Sequence, residues 1–587
     1  MRKLSYWLEP MKQRLSSEDE AFLKKIYEPT VVTIPPNQAC RNMCVTPDGE
    51  IRIYGAIDKS EPNDIGCQVV SVSNDCGLSW KTRLMKKGVL GAATYNKETG
   101  RYITTYPNEY RPDLDLIYDK QGTYVVIGNS FDDEAPKLVK LTDDKVHFLK
   151  LPMYLESRKR WLVFGEYTLP DYSDRQVALF YSDDDGESWN GGIIGKSAPK
   201  HELQPPHKSV RWQQYSCEPT VVELENGELV MFVRTSQDHH YSYRSLDGGE
   251  TWKGPTVTEL HGTITMPVLQ KLSDGRIVFF WCNTQPLPEI DHKNDFPKLH
   301  PTEESGMWED VFTNRDANHL AISENGMKTW IGFRELFLND IRNNSDFRSI
   351  GGANSRDKSV HQGQILELPY NKLLIHFGQN TVSQKVVIVD IDWLYQKTRF
   401  ENFRTGLTTV STQMYIKSNL GGYKGFSGHC AYNRTNGALL LPDPSGNFRE
   451  VLCVGYVDDD RLVYKKQGVV WNFPALKKGR TEIVLSVVGS GVRISLTDRW
   501  FNPCDETIDE YAAICYDVKE KCPFLTVAVE YDTEKKLAKL YIGEKRVDLE
   551  FKTSAPNGIS YLHIQTLATK KDLEGTLLRS LKSDELK

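Results

Sequence analysis

Three times in this chain the same short pattern ends one strand and turns toward the next. Ser73-Asn-Asp75-Cys-Gly77-Leu-Ser-Trp80, Ser182-Asp-Asp184-Asp-Gly186-Glu-Ser-Trp189 and Ser245-Leu-Asp247-Gly-Gly249-Glu-Thr-Trp252 all read SxDxGxxW. A fourth copy, Ser323-Glu-Asn325-Gly326-Met-Lys-Thr-Trp330, is worn: Asn replaces Asp and the glycine comes one place early. The pattern makes sense as a hairpin turn. Ser and Asp side chains satisfy turn backbone donors, Gly supplies a positive φ, and Trp packs the turn against the sheet. Repetition at starts 73, 182, 245 and 323 requires one supersecondary unit used several times.

Between the turns lie short alternating segments such as "EIRIYGAI", "VALFYS", "ELVMFVRT", "RIVFFWCN" and "KLLIHFGQ". Strands at this spacing indicate an all-β sandwich, barrel or propeller. The gap between the first two copies leaves room for a repeat without the motif, around "LIYDKQGTYVVIGNS". One convincing helix is expected near Ser17 to Ile26, with Ser17 as the cap and Glu20 three residues on. At 587 residues the chain exceeds one ordinary core. After "VIVDIDWLYQ" the motif disappears and longer alternating strands begin, as in "TEIVLSVVGSGVRISLTD".

The repeated motif is the Asp box, and in it the chain resembles the sialidase (BNR-repeat) propellers. The resemblance implies a six-bladed propeller over residues 31–397, preceded by an N-terminal helical extension (1–30). A lectin- or concanavalin-like β-sandwich (398–587) is expected to follow it. The Asp box itself is structural in that family and lies away from the catalytic face.

Sialidases hold the substrate carboxylate with three arginines, because a guanidinium fork meets a carboxylate with two parallel charge-assisted hydrogen bonds. By resemblance, Arg41 stands at the first of these places, and Asp64 at that of the acid/base, with Asp58 a nearby competitor. A further arginine often found after the second strand is missing, with Ile57 or Asp58 in that region. In "CEPTVVELENGELVMFVRT", Glu218 matches the glutamate that activates the nucleophile and Arg234 the second arginine. Arg315 matches the third. The nucleophilic tyrosine is absent: Gln362 falls at its place beside His361, with Tyr215 and Tyr241 as possible substitutes. The site expected from sequence is therefore Asp64, Glu218 and His361 as catalytic groups, with Arg41, Arg234, Arg315 and Gln362 binding substrate. Trp281 and Asn283 are further candidates for the pocket lining.

The resemblance implies hydrolysis of a terminal carboxylate-bearing sugar, sialic acid or a related acid, from an oligosaccharide. Two alternatives use the same clamp. A uronate lyase would remove the proton next to the neutralised carboxylate with His361 as base, and a binding protein would hold acidic glycans without cleaving them. His239, His240, His292, His319 and His376 show no HExxH-like spacing, so no metal or cofactor is assigned. A formal net charge of -6 speaks against a nucleic-acid partner. No apolar run is long enough for a membrane span. The charged N-terminus lacks a signal-peptide core, and the odd number of cysteines, 11, does not make a disulfide framework. A cytoplasmic location is the expectation.

Overall fold

The computed structural model describes the chain except residues 1–5, 35–42, 56–68, 87, 108–121, 149, 170–173, 200–215, 263, 287–314, 340–358, 379–382, 417–432, 448, 463 and 587. It is nearly all β. Two short helices, Leu8–Arg14 and Ser17–Lys25, open the described chain. The second is capped by Ser16, whose hydroxyl accepts from the Asp19 backbone N–H, and not by Ser17 as the sequence suggested.

Six antiparallel sheets follow in chain order, five with four strands and the third with five. The first runs from Met43–Val45 to Lys81–Leu84 and the second from Thr94–Tyr95 to Lys137–Thr142. The third spans Val146–His147 to Asn190–Ile193 and the fourth Cys217–Glu223 to Lys253–His261. The fifth spans Val268–Lys271 to Ile331–Leu338. The sixth comprises Gln364–Leu368, Lys372–Phe377 and Lys385–Asp390, completed by Thr30–Thr33 from the N-terminal side. The segment expected to form a repeat without the box contributes Thr123–Gly128 to the second sheet.

Apolar interfaces join each sheet to the next. Phe232 of the fourth packs with Phe279 of the fifth, and Phe280 of the fifth with Phe377 of the sixth. Ile51 and Ile53 of the first meet Leu374 and Ile388 of the sixth, so the succession returns to its start. The N-terminal strand is hydrogen-bonded within the sixth sheet, along Lys385–Asp390.

The four turn motifs form one hydrogen-bonded device. In the third copy Ser245 Oγ donates to Asp247 at 2.7 Å and accepts from Gly249 N–H at 2.9 Å. Asp247 accepts from Thr251 N–H at 2.9 Å, and Trp252 Nε1 donates to Gly249 O at 3.1 Å. The copies at Ser73 and Ser182 repeat these bonds. In the fourth copy Met327, at φ 65°, takes the glycine's place, and its N–H donates to Ser323 Oγ at 3.0 Å. Asn325 Oδ1 still accepts from Thr329 N–H at 3.0 Å. The turn is thus preserved with a non-glycine residue in the left-handed region, and burial of Met327 against Trp330 offsets the strain.

A 3-10 helix, Ile391–Tyr395, leads to two larger sheets. One has eight strands, including Lys478–Val487, Cys522–Asp532 and Asp572–Glu585, and the other five, including Gly468–Leu476 and Ile559–Thr566. Trp471, Phe473, Ile483, Leu485, Ile494 and Leu562 are among the residues buried between them. This C-terminal part packs on the fifth sheet through Ala317, Leu338, Val470, Trp500 and Tyr561.

Candidate functional site at one end of the N-terminal sheets

In an antiparallel meander, the start of the first strand, the end of the second and the start of the third share one end of the sheet. Glu218 lies at the start of the fourth sheet's first strand and Arg234 ends its second. Arg315 precedes the third strand of the fifth sheet, and His361 and Gln362 precede the first strand of the sixth. All five therefore lie at the same end, and the turn motifs, which follow third strands, lie at the other. Arg41 and Asp64, with Asp58 and Tyr215, lie outside the described residues.

Glu218 and Arg234 form a buried ion pair, Oε2 to Nη1 at 2.8 Å. A register shift between Cys217 and Thr220 opens the ladder there, and Glu218 adopts φ 45°. Burial works against the Arg234 charge, but Glu218 together with Cys217 and Glu166 outweighs it and pushes the guanidinium pKa up. The Glu218 backbone N–H donates to Glu166 Oε2 at 3.0 Å, and Glu166 Oε1 accepts from Arg175 Nη1 at 3.0 Å. Two ion pairs, Arg175 with Glu166 and Glu218 with Arg234, are thus linked through the Glu218 backbone N–H from the third sheet to the fourth.

Hydrogen bonds carry this cluster onward. Thr235 O accepts from Ile264 N–H at 3.0 Å. Ile264 O accepts from the fully buried Arg315 guanidinium. Arg315 O in turn accepts from Val360 N–H at 3.0 Å, the residue before His361. His361 is fully buried, and its Nδ1 accepts from Met266 N–H at 3.4 Å. In a neutral ring that acceptor role leaves the proton on Nε2.

Backbone strain gathers along the same path. Glu218, Ile264 (φ 48°) and Gln362 (φ 60°) all occupy the left-handed region. For a β-branched residue such as Ile264 this is a real outlier, and such outliers concentrate where a site is held against local preference.

The path joins Arg234, Glu218, Arg315, His361 and Gln362. It excludes three other residues considered from sequence. Tyr241 packs in the interface between the third and fourth sheets. Trp281 is fully buried and donates to His261 O at 2.7 Å. Asn283 donates from Nδ2 to Asp498 O at 2.9 Å, so it docks the C-terminal part instead of facing a ligand. His239, His240, His319 and His376 join no group of His, Cys, Asp and Glu suited to a metal among the described residues, and His292 lies outside them.

Glu166 and Arg175 are additions. Their signal was present in the sequence: they stand near the end of the second long strand and at the start of the next, the offsets of Arg234 and Arg315 one and two sheets later.

Residues 134–344 match the BNR repeat-like domain. Among solved structures, a protein of unknown function from Dyadobacter fermentans is 15% identical, with 62% of this chain and 97% of that one covered and a TM-score of 0.39. Trypanosoma rangeli sialidase in complex with 2,3-difluorosialic acid is 13% identical, with 94% and 92% covered and a TM-score of 0.36. The same sialidase in complex with sialic acid is also 13% identical over 94% and 92%, with a TM-score of 0.35. The repeat match spans the turn motifs at Ser182, Ser245 and Ser323, so this stretch of the chain is similar to a BNR repeat-like domain.

Proposed function

We propose that this protein is a glycan-cleaving enzyme of the sialidase type, removing a terminal carboxylate-bearing sugar from an oligosaccharide. In this reading the six sheets are the blades of a propeller (31–397), behind a helical extension (1–30), and the C-terminal sheets form a sandwich (398–587). The supporting observation is the hydrogen-bonded path that brings Arg234, Glu218, Arg315 and His361 to one end of three successive sheets.

Arg234 and Arg315, with Arg41, clamp the substrate carboxylate. Asp64 protonates the leaving oxygen. Glu218, with one oxygen committed to Arg234, orients the attacking group. With Gln362 in the tyrosine's place, the attacking group is water, which predicts inversion at the anomeric carbon. A lyase would need His361 as base, and its Nδ1 is occupied by a backbone donor. Hydrolysis is therefore the preferred reading. The protein acts without a cofactor, on an acidic oligosaccharide in the cytoplasm.

The test is a panel of aryl α-sialosides and uronate disaccharides, following aryl alcohol release and ultraviolet absorbance. Aryl release lost in Arg234→Ala and in Arg315→Ala supports the reading. A rising ultraviolet product without aryl release supports elimination, and neither signal on any substrate leaves a binding protein.

A further inference from the structure

The residue after Arg315 belongs to a second buried cluster. Asp316 is 1% exposed. Its Oδ1 accepts from the guanidinium of Arg434, which is equally buried. Its Oδ2 accepts from Tyr415 Oη at 2.7 Å and from Gln413 Nε2 at 3.4 Å. All three donors belong to the C-terminal part, Tyr415 and Arg434 on the paired strands Met414–Ile416 and Asn433–Thr435. The carboxylate is therefore satisfied entirely by residues about a hundred positions away.

Consecutive residues at a strand start point opposite ways. Arg315 reaches toward Ile264 O and Asp316 toward Arg434. Their shared backbone is tied on both sides: Arg315 O accepts from Val360 N–H at 3.0 Å and Asp316 O from Asn339 N–H at 2.7 Å. The Asp316 carboxylate is a polar anchor of this short segment to the C-terminal part, beside the apolar contact made by Ala317.

A buried ion pair is weak ground for stability, because desolvation of both charges opposes their attraction. Its geometric demand is strong, however, since the carboxylate must meet the guanidinium and the phenol together. We propose that Asp316, held by Arg434 and Tyr415, is a positioning residue that fixes Arg315 for the substrate carboxylate, so that the C-terminal part completes the acid-binding apparatus of the N-terminal sheets. This rests on the reading of Arg315 as a carboxylate ligand. The C-terminal sheets then act on substrate affinity without touching the sugar. A guanidinium displaced by about an ångström loses the bidentate fit that distinguishes a carboxylate from a neutral group.

The experiment uses the full chain and measures binding of sialic acid, glucuronic acid and their methyl esters, alongside thermal melting. The variants are Asp316→Asn, Arg434→Lys, Tyr415→Phe and, as reference, Arg315→Ala. The expected result is that the parent prefers an acid to its ester and that Arg315→Ala abolishes the preference. Arg434→Lys and Asp316→Asn should weaken acid binding about tenfold while leaving ester binding within a factor of two. Tyr415→Phe, the mildest change, serves if either of those variants does not fold, and should weaken acid binding two- to threefold. Acid binding equal to the parent's in folded Arg434→Lys or Tyr415→Phe, with Arg315→Ala defective, overturns the positioning role and leaves the clamp intact. Equal loss of acid and ester binding also overturns it, since that marks a general structural defect. An Arg315→Ala variant that still prefers the acids, or a parent that binds none, overturns the clamp itself.

Discussion

The Glu218 carboxylate meets the Arg234 guanidinium at 2.8 Å, with side-chain exposures of 7% and 4%. So dry a pair is sensitive to losing one partner, because the other charge remains buried. Arg234→Ala should cost about 3–5 kcal/mol in denaturant unfolding, whereas replacing both partners by Leu and Met should cost less than either single change. Equal and additive losses would show that the two side chains do not depend on each other.

The turn motifs predict the opposite separation of stability from activity. Asp247→Ala removes the acceptor for Ser245, for Thr251 N–H and for the Thr251 hydroxyl. A loss of about 1–3 kcal/mol is expected. Turnover per folded molecule should stay at the parent level, because the motif sits at the far end of its sheet from Arg234. A drop in turnover at unchanged stability would contradict that placement.

The sheets were legible because their turns carry a side-chain code and their strands alternate with period two. Arg234, Glu218 and Arg315 were legible because the segments that carry them resemble the sialidase pattern. Glu166 and Arg175 stand at comparable strand ends but match no residue of that pattern. The cluster on Asp316 was not legible: Gln413, Tyr415 and Arg434 are distant in sequence and carry no motif. The helix cap moved from Ser17 to Ser16 because two adjacent serines offer the same hydroxyl, and only the backbone decides which one precedes the first turn.

Several buried side chains set the response to pH. Burial holds the His240, His319 and His376 pKa values down to about 3. Burial pushes Asp505 up to about 6, against the hydrogen bonds it accepts from Thr507. Between about pH 4 and 6 the unfolded chain binds more protons through these histidines and the folded chain binds one more through Asp505. The histidines are more numerous, so stability falls as the pH is lowered from about 6.5. Asp505→Asn removes the opposing proton. It should stabilise the protein at pH 8 by up to about 3 kcal/mol, change little at pH 4, and steepen the fall between. Chemical unfolding at three pH values tests this, and a variant equally stabilised at pH 4 and pH 8 would show that Asp505 does not titrate in this range.

Asp498 links the N-terminal sheets to the C-terminal part. Its carboxylate accepts from His261 Nε2 at 3.1 Å and from Arg499 Nη1 at 2.7 Å, and its carbonyl accepts from Asn283 Nδ2 at 2.9 Å. Arg499 also donates to Gln285 Oε1 at 2.8 Å. The cluster therefore ties the fourth and fifth sheets to the C-terminal part, beside an apolar contact of Trp500 and Tyr561 on Ala317 and Leu338. Asp498→Ala leaves the Arg499 charge largely buried without its carboxylate and should cost about 3–5 kcal/mol. That loss falls on the junction, so calorimetry should resolve two transitions where the parent shows one. A single transition shifted to lower temperature would instead assign the coupling to the apolar contact, and Trp500→Ala should then produce the split that Asp498→Ala did not.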